Sequence, residues 1–397
     1  MYINDAAITV EINVPVVNSI RLPKNIIEGF MIFPKINSEF TDLNDSLFKW
    51  YRLPSKGSKN ENYEEISQSL NYQPTNSDLG YFLKLSCIPK QNERCGIEYT
   101  VESLNQVTAG PGFCPFEKRH LFTKENTEKN CRRFVTYNIL ADFYSDSDFS
   151  REQLFPHCPP YALSMDYRKY LLLKELTVIS PKLKPLSGLV TENNITLSEM
   201  LQEDNLSYSD ILKKLLRIKF YGKTVILESV ENPRKKLCVG NTHFYFHQSG
   251  SNIRLIQCLV CIRHLENILK QYKAKGEELS FIFAGDLNSA PFKSVNTYLT
   301  TGTVGADAPE WSEIEDKKLE GMEFKHSLKL KSACGYPEYS NYDYIYIDTD
   351  SIEVKSVVPN PDHEDVVLHT ALPNVVFPSD HIAQICDLKW KNNSQYF

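Results

Sequence analysis

The sequence predicts two domains, a small all-β sandwich followed by an α/β domain with layered sheets. Three observations carry that prediction. Over the first hundred or so residues, short β-rich runs (AITVEINV, EGFMIFPKI, SLFKWYRL, YFLKLSCI) alternate with turn clusters such as PSKGSKN and PTNSD. The stretch AGPGFCPFEKRHLFTKENTEKN, rich in glycine, proline and charge, then breaks the pattern. Beyond it, helix-like segments (YRKYLLLKELT, YSDILKKLLRIKF, RLIQCLVCIRHLENILKQY) alternate with short apolar strands (KLCVGNTHFYF, LSFIFAGDLN, DYIYID, HIAQICDLKW). The expected boundaries are a β-sandwich at 1–110, a linker at 111–130 and an α/β domain at 131–397.

Bulk properties agree with that division. A chain of 397 residues suits two domains, and 42% hydrophobic with 12% aromatic content describes packed globular protein. The formal net charge of −6 gives no general attraction to nucleic acid or anionic lipid, so any such partner must be recognised locally. Basic groups at Lys213, Lys214, Arg217, Lys219 and Lys223, and at Arg234, Lys235 and Lys236, read first as solvated helix faces or turns. Ten cysteines without regular spacing do not make a disulfide framework and fit a reducing compartment. Cys258 and Cys261 fall on one face of an apolar helix with no second Cys or His pair nearby, which indicates core packing. No run approaches the ~18 apolar residues of a membrane span. The N-terminus shows neither a signal pattern nor an Arg-rich transit pattern, and it reads as the middle of a strand-rich domain, as if a segment preceded it.

In the first domain, FKWY followed by NSDLGYFLKLSC resembles immunoglobulin-like sandwiches, with Trp50 in the core and Asp78, Gly80 and Cys87 near a strand corner. No catalytic grouping occurs there, which fits binding or scaffolding. The second domain carries the chemistry. FIFAGDLNSAP is an apolar strand ending in Asp286 and Asn288; on an extended end these would point the same way, Asp286 toward a cation or water and Asn288 toward a phosphate oxygen. A simple turn with Asp and Asn is the alternative. PSDHIAQICDLKW places Asp380 and His381 before a strand, CVGNTHFYFHQ leads to Asn241 and His243, FVTYNILAD ends near Asn138, and DYIYID opens with Asp343. Five strand-linked polar groups of Asn, Asp and His in one domain form a constellation. It would neutralise charge, orient water and protonate a leaving group during attack on a phosphodiester.

YNILAD, NTHFYFH followed by IRLIQ, GDLNSAP and SDHIA stand in the order typical of the deadenylase-like branch of the exonuclease-endonuclease-phosphatase superfamily. The resemblance extends over nearly the whole chain. FSREQLFPHCPPYALSMDYRKYLLLKELT, LKLKSACGYPEYSNY, SLFKWYR and AGPGFCPFEKRHLFTK are similar to the mitochondrial 2′,5′-phosphodiesterase group within it. The resemblance implies a four-layer α/β sandwich in the second domain and a Mg2+-dependent (or Mn2+-dependent) phosphodiesterase or 3′ exoribonuclease that cleaves 2′,5′-oligoadenylate and poly(A) RNA to AMP. It further implies that Asn138 positions the scissile phosphate, that Asp286 binds metal-linked water or takes its proton, and that Asn288 stabilises the oxyanion. His381 is then the acid-base or phosphate-contacting imidazole, oriented by Asp343, and His243 contacts phosphate or leaving group with Asn241 lining the substrate. The metal set carried over is Asp286, Asn288 and Asp380. The implied partner is RNA or oligoadenylate, with no membrane and no protein partner evident, and the implied compartment is the mitochondrial matrix, the cytoplasm remaining open.

One departure matters. The family places a strand ending in Leu-Gln-Glu, whose glutamate is the main magnesium ligand, after the helix equivalent to YRKYLLLKELT. Here KELT runs into VISPKLKPLSG, and no apolar strand with a terminal acid lies between Thr177 and Gly188. LQED at 201–204 imitates the motif inside a helical pattern, so Glu203 does not inherit the role. A smaller gap follows YSNY. The expectation is therefore an impaired and less stable hydrolase, with a catalytically inactive RNA-binding or interaction protein as the alternative.

Overall fold

The computed structural model describes residues 2–3, 6–7, 12–55, 63–128, 130–179, 192–193, 221–229, 235–312, 323–336 and 342–391. Glu203, the basic residues Lys213, Lys214, Arg217, Lys219 and Arg234, and most of the 177–188 junction lie outside the described residues. The chain divides into two units, Met1–Cys114 with Ser164–Lys174, and Pro115–Leu163 with Glu175–Phe397.

The first unit is strand-rich. β1 (Val16–Arg21) pairs with β2 (Lys35–Glu39), while β3 (Asp42–Leu53), β4 (Glu64–Ser67), β5 (Phe82–Gln91) and β6 (Tyr99–Glu102) form an antiparallel sheet in the order β6-β5-β3-β4. Period-two alternation sends Phe48 and Trp50 inward against Leu83, Leu85 and Cys87. The indole of Trp50 is fully buried and donates to the Ser69 carbonyl at 2.9 Å. Asp78 is the polar hub of the corner: its buried carboxylate accepts from Arg52, the Tyr72 hydroxyl and the Thr75 amide at 2.7–2.9 Å. In the run EGFMIFPKI the residues before Pro34 yield only a bridge at Ile32, and β2 starts at Lys35 because Pro34 cannot donate to a ladder.

Among the described residues the second unit holds two main sheets, beside a two-stranded pair of Thr303–Val304 with Phe324–Lys325. β7 (Cys131–Thr136) begins the smaller one; β8 (Tyr221–Glu228), β9 (Lys236–His243), β10 (Leu279–Asp286), β11 (Leu330–Ser332) and β12 (Asp343–Asp348) build the larger; β13 (Ile352–Val357) and β14 (Gln384–Trp390) complete the smaller. The larger sheet runs Glu192–Asn193, β8, β9, β10, β12, β11, with β9 and β10 parallel and the other pairs antiparallel. The smaller sheet runs β7-β14-β13, all antiparallel. Among the described residues β7 therefore has a strand on one side only.

Four layers follow from alternating strand faces. After the one-turn helix α1 (Asp142–Ser145), the longer helices are α2 (Met165–Ile179), α3 (Ser251–Ala274) and α4 (Ser294–Thr301). Cys238, Phe281, Phe283, Tyr344 and Tyr346 turn outward from the larger sheet onto Leu255, Cys258, Ile262 and Leu299 of α3 and α4. The opposite face, Leu237, Ile282, Ile345 and Ile347, meets Ile352, Cys386 and Leu388 of the smaller sheet. Ile385 then packs with Leu176 and Ile179 at the end of α2. Each buried aliphatic or aromatic side chain in these clusters contributes roughly 1.5–3 kcal/mol.

The segment expected as a linker is partly core. Pro115–Arg119 and His120–Thr123 are helical turns, with Phe116 fully buried against Phe377 and Arg119 buried and donating to the carbonyls of Pro359 and Ala383. Turn-forming composition concealed these two anchors. Beside Arg119, Glu175 is buried, accepts from the Tyr137 hydroxyl at 2.7 Å and lies 4.0 Å from the guanidinium. Burial pushes its carboxyl up to about 6, against the opposing pull of Tyr137 and Arg119. A raised carboxyl favours the folded state fully below its unfolded value near 4.5 and loses that contribution as pH rises through about 6. Glu175→Gln keeps the Tyr137 contact and has no such loss. Urea unfolding at pH 4 and pH 7 should show the parent losing about 2 kcal/mol relative to the variant; a pH-independent difference between the two proteins would contradict the buried ionisation.

Candidate active site

The faces just described decide where the polar strand ends point. In β10, Ile282 and Ala284 face the smaller sheet, so Asp286 does too; Ile345 and Ile347 fix Asp343 in the same way, and Leu237 and Val239 fix Asn241 and His243. Register then aligns three of them: His243 lies opposite Asp286, and Asp286 opposite Asp343, across β9, β10 and β12. From the smaller sheet, Asn138 follows β7 and His381 precedes β14. The two sheets thus contribute to one group at one end of their shared interior.

The contacts are close. Asn138 donates from Nδ2 to Asp286 Oδ2 at 2.9 Å and stands 3.3 Å from His381 Nε2. Asp286 Oδ2 is 3.5 Å from His243 Nε2 and 3.6 Å from His381 Nε2. His381 Nδ1 lies 2.5 Å from Asp343 Oδ2. Both carboxylates are almost fully buried, whereas the His243 side chain is about half exposed, at 48%. Burial alone would pull the His381 imidazole down, but the bond to Asp343 and the charges of Asp343, Asp286 and Asp380 raise it to about 9. Burial pushes the Asp343 carboxyl up while the imidazole beside it pulls the other way. With a second carboxylate in the same pocket, the proton belongs on His381.

Backbone chemistry holds these groups. Asn288 has left the extended path expected of it: its φ is +47°, a conformation Asn tolerates, and its amide N–H donates to Asp286 Oδ1 at 2.9 Å. Asn288 Nδ2 is spent on the Phe244 carbonyl at 3.0 Å, so Asn288 pins the loop after β9 rather than pointing beside Asp286. Ser379 was not singled out by the sequence, although it sits in the SDHIA string. Its hydroxyl donates to the Asn138 carbonyl at 2.7 Å and accepts from the His381 amide at 3.2 Å, joining the two loops of the smaller sheet. Asn241 is exposed one position back along the His243 face, and Asp380 is exposed, its carboxylate meeting the Ser379 hydroxyl at 3.4 Å.

Could this group hold a cation? Asp286, Asp343 and His381 bring ligand-type atoms within 4.8 Å of one another. A hard divalent ion takes oxygens, which the two carboxylates supply. Asp343 Oδ1 is buried without a hydrogen-bond partner, an orphan that a cation would satisfy. His381, protonated and bound to Asp343, is not free to ligate. The oxygen donors fit such an ion; of the other expected ligands, Asp380 is not part of the compact group and the Asn288 Nδ2 is taken by the Phe244 carbonyl.

A model described as the 2′,5′-phosphodiesterase 12-like N-terminal domain matches residues 14–108. Over 466 aligned positions the chain is 35% identical to 2′,5′-phosphodiesterase 12 of Homo sapiens, covering 98% of this chain and 76% of that protein. It is 36% identical to the Rattus norvegicus protein of the same name, with the same coverage. An alignment of 466 positions on a 397-residue chain leaves several dozen positions of the human protein with no residue opposite them. Among solved structures, ANGEL2, described as a 2′,3′-cyclic phosphatase, gives a TM-score of 0.49 at 16% identity over 65% of this chain and 95% of that one. Among the described residues no helix is long and apolar enough to cross a membrane.

Gly285 admits Asp286 to its place. Its φ is +132°, and a Cβ there would sit 1.9 Å from the Thr242 carbonyl oxygen. Gly285→Ala should cost about 3 kcal/mol or more in urea unfolding, whereas Gly276→Ala, at φ +73° in open space, should cost only about 1 kcal/mol. Equal losses at the two positions would refute the close approach.

Proposed function

We propose, on the premise that this chain belongs to the 2′,5′-phosphodiesterase 12 family in the deadenylase-like branch of the exonuclease-endonuclease-phosphatase superfamily, that it hydrolyses the terminal phosphodiester of 2′,5′-oligoadenylate or poly(A) and releases AMP. The single observation that carries the reading is the His243-Asp286-Asp343 row, in register across three strands, with Asn138 and His381 closing on it from the other sheet. By the same family likeness its compartment is the mitochondrial matrix.

The residues divide the work of in-line displacement. Asp286, held by Asn138 and by the Asn288 amide, accepts the proton of the attacking water as its oxygen bonds to phosphorus. His381, kept protonated and oriented by Asp343, donates to a phosphate oxygen as charge builds there. At the exposed side of the row His243 contacts the departing ribose oxygen, which takes up a proton from solvent as its bond to phosphorus breaks. Asp286 and Asp343 would hold a magnesium ion, which when bound supplies charge neutralisation at the phosphate.

With a 2′,5′-linked adenylate trimer and magnesium, AMP release should be measurable by chromatography. Chelation should abolish it, Asp286→Ala should lower turnover by about 100-fold or more, and Asp343→Asn should do the same by releasing His381. Equal turnover by the parent and the Asp286→Ala protein would remove the assigned site.

A second reading, an RNA-binding chain that does not cleave, is favoured by two observations. Several dozen positions of the human relative lack a counterpart here, and among the described residues β7 carries no strand on its outer side. Calorimetric titration with oligoadenylate separates the two: binding that ignores magnesium and yields no AMP supports it, and metal-enhanced binding with cleavage removes it.

A further inference from the structure

We propose that Phe143, Tyr144 and Phe246 form a stacking platform for the bases of a single-stranded oligonucleotide whose phosphodiester occupies the catalytic group. The inference rests on the oligonucleotide reading above and adds where the bases go. Phe143 is 80% exposed, Phe246 59% and Tyr144 47%, an expensive use of large rings unless a ligand covers them. They are not scattered. Phe143 and Tyr144 meet edge to face with ring centres 5.3 Å apart, and Tyr144 reaches Phe246 at 5.8 Å, so α1 and the loop after β9 present one aromatic surface. Phe246 continues to Tyr245 at 5.6 Å.

The surface is contiguous with the reacting groups. Phe246 is three residues beyond His243, and a three-residue span reaches at most about 11 Å. That is roughly the rise of three stacked nucleotides at about 3.4 Å each. Between them, the Phe244 carbonyl accepts from Asn288, and Leu140 on the way to α1 donates its amide to Asn138 at 3.1 Å. The loop is also held ready: Arg254 donates to the carbonyls of Tyr245, His247 and Gln248 at 2.7–3.3 Å, and Gln257 accepts from the Tyr245 amide. Pre-organised rings lose little freedom on binding.

Charge selects what the rings accept. Asp142 and Asp146 flank Phe143 and Tyr144 on α1, and the nearby Arg151 is committed to Asp146 and Asp148. These side chains therefore offer a phosphate or an anionic lipid headgroup no cation to bind, whereas the uncharged face of a base needs none. The phosphate is read at the catalytic group and the bases at the platform. Base-aromatic stacking is worth about 5- to 150-fold in affinity per base.

Equilibrium binding to the full chain in magnesium tests this by comparing an adenylate trimer with an abasic trimer, both carrying non-hydrolysable methylenephosphonate linkages so that nothing is cleaved. The parent should prefer the adenylate by about 10-fold or more, and the double variant Phe143→Leu, Phe246→Leu should bind both within about twofold. Phe246→Tyr, which keeps the ring, should retain the preference. No preference in the parent, no binding of either trimer, or a preference that survives the double variant overturns the platform. So does sedimentation with phosphatidylserine vesicles by the parent and not by the double variant, which would assign the rings to a membrane. A base preference without AMP release would sink the hydrolytic reading alone.

Discussion

The bond between His381 and Asp343 is the contact on which the site depends, because it ties the loop before β14 in one sheet to the first residue of β12 in the other. Two carboxylates buried within a few ångströms of each other repel, and each has lost most of its hydration. One imidazolium between them offsets part of both penalties. Breaking such a buried pair by removing one partner is costly, since it strands a charge the interior cannot solvate. The packed aliphatic layer of Ile282, Ile345, Cys386 and Leu388 beneath it sets the spacing of the sheets and so the length of that bond.

Much of this was legible in the sequence because strand alternation is a strict period. Once LSFIFAGD and DYIYID are recognised as buried strands, the faces of Asp286 and Asp343 follow from Ile282 and Ile345 by counting in twos. Asn138, His243, Asp286, Asp343 and His381 stood out as polar groups at or beside the ends of apolar strands, and the structure brings them together. What failed was the step past the strand end. Counting in twos also put Asn288 beside Asp286, but the period holds only while the backbone stays extended, and Asn288 turns left-handed. Ser379 escaped because a serine in a polar loop carries no periodic signal. Its role exists only when two distant loops meet. Phe116 and Arg119 were hidden for the opposite reason, as two anchoring residues in a string whose composition otherwise announces a turn.

These turn-level features explain how an interior site stays open to a ligand. Gly285 lets β10 approach Thr242 more closely than any side chain would allow, and Asn288 then folds back to occupy the Phe244 carbonyl. The loop after β9 is thereby fixed from two sides, by Asn288 and by Arg254; Phe244 packs into the core while Phe246 faces outward. Rigid support beneath and exposed rings above are parts of one arrangement. The loop gives the Phe244 carbonyl to Asn288 and the Phe246 ring to the surface.

Charge balance sets the remaining requirement. Asp286 and Asp343 are offset by one imidazolium, which leaves the compact group near −1 before a phosphodiester, itself −1, approaches. At an effective dielectric of about 20, like charges some 4–5 Å apart repel by roughly 3–4 kcal/mol, enough to weaken binding several hundred-fold. The hydrogen bonds of Asn138 and His381 reduce that repulsion without cancelling it. A cation beside the phosphate reverses its sign, and the unpartnered Asp343 oxygen gives it a place to sit. Any loss of a further acidic ligand weakens the cation's hold rather than the need for it. The same arithmetic supports the metal dependence proposed above, and a weaker hold on the cation would move half-saturation to higher metal concentration.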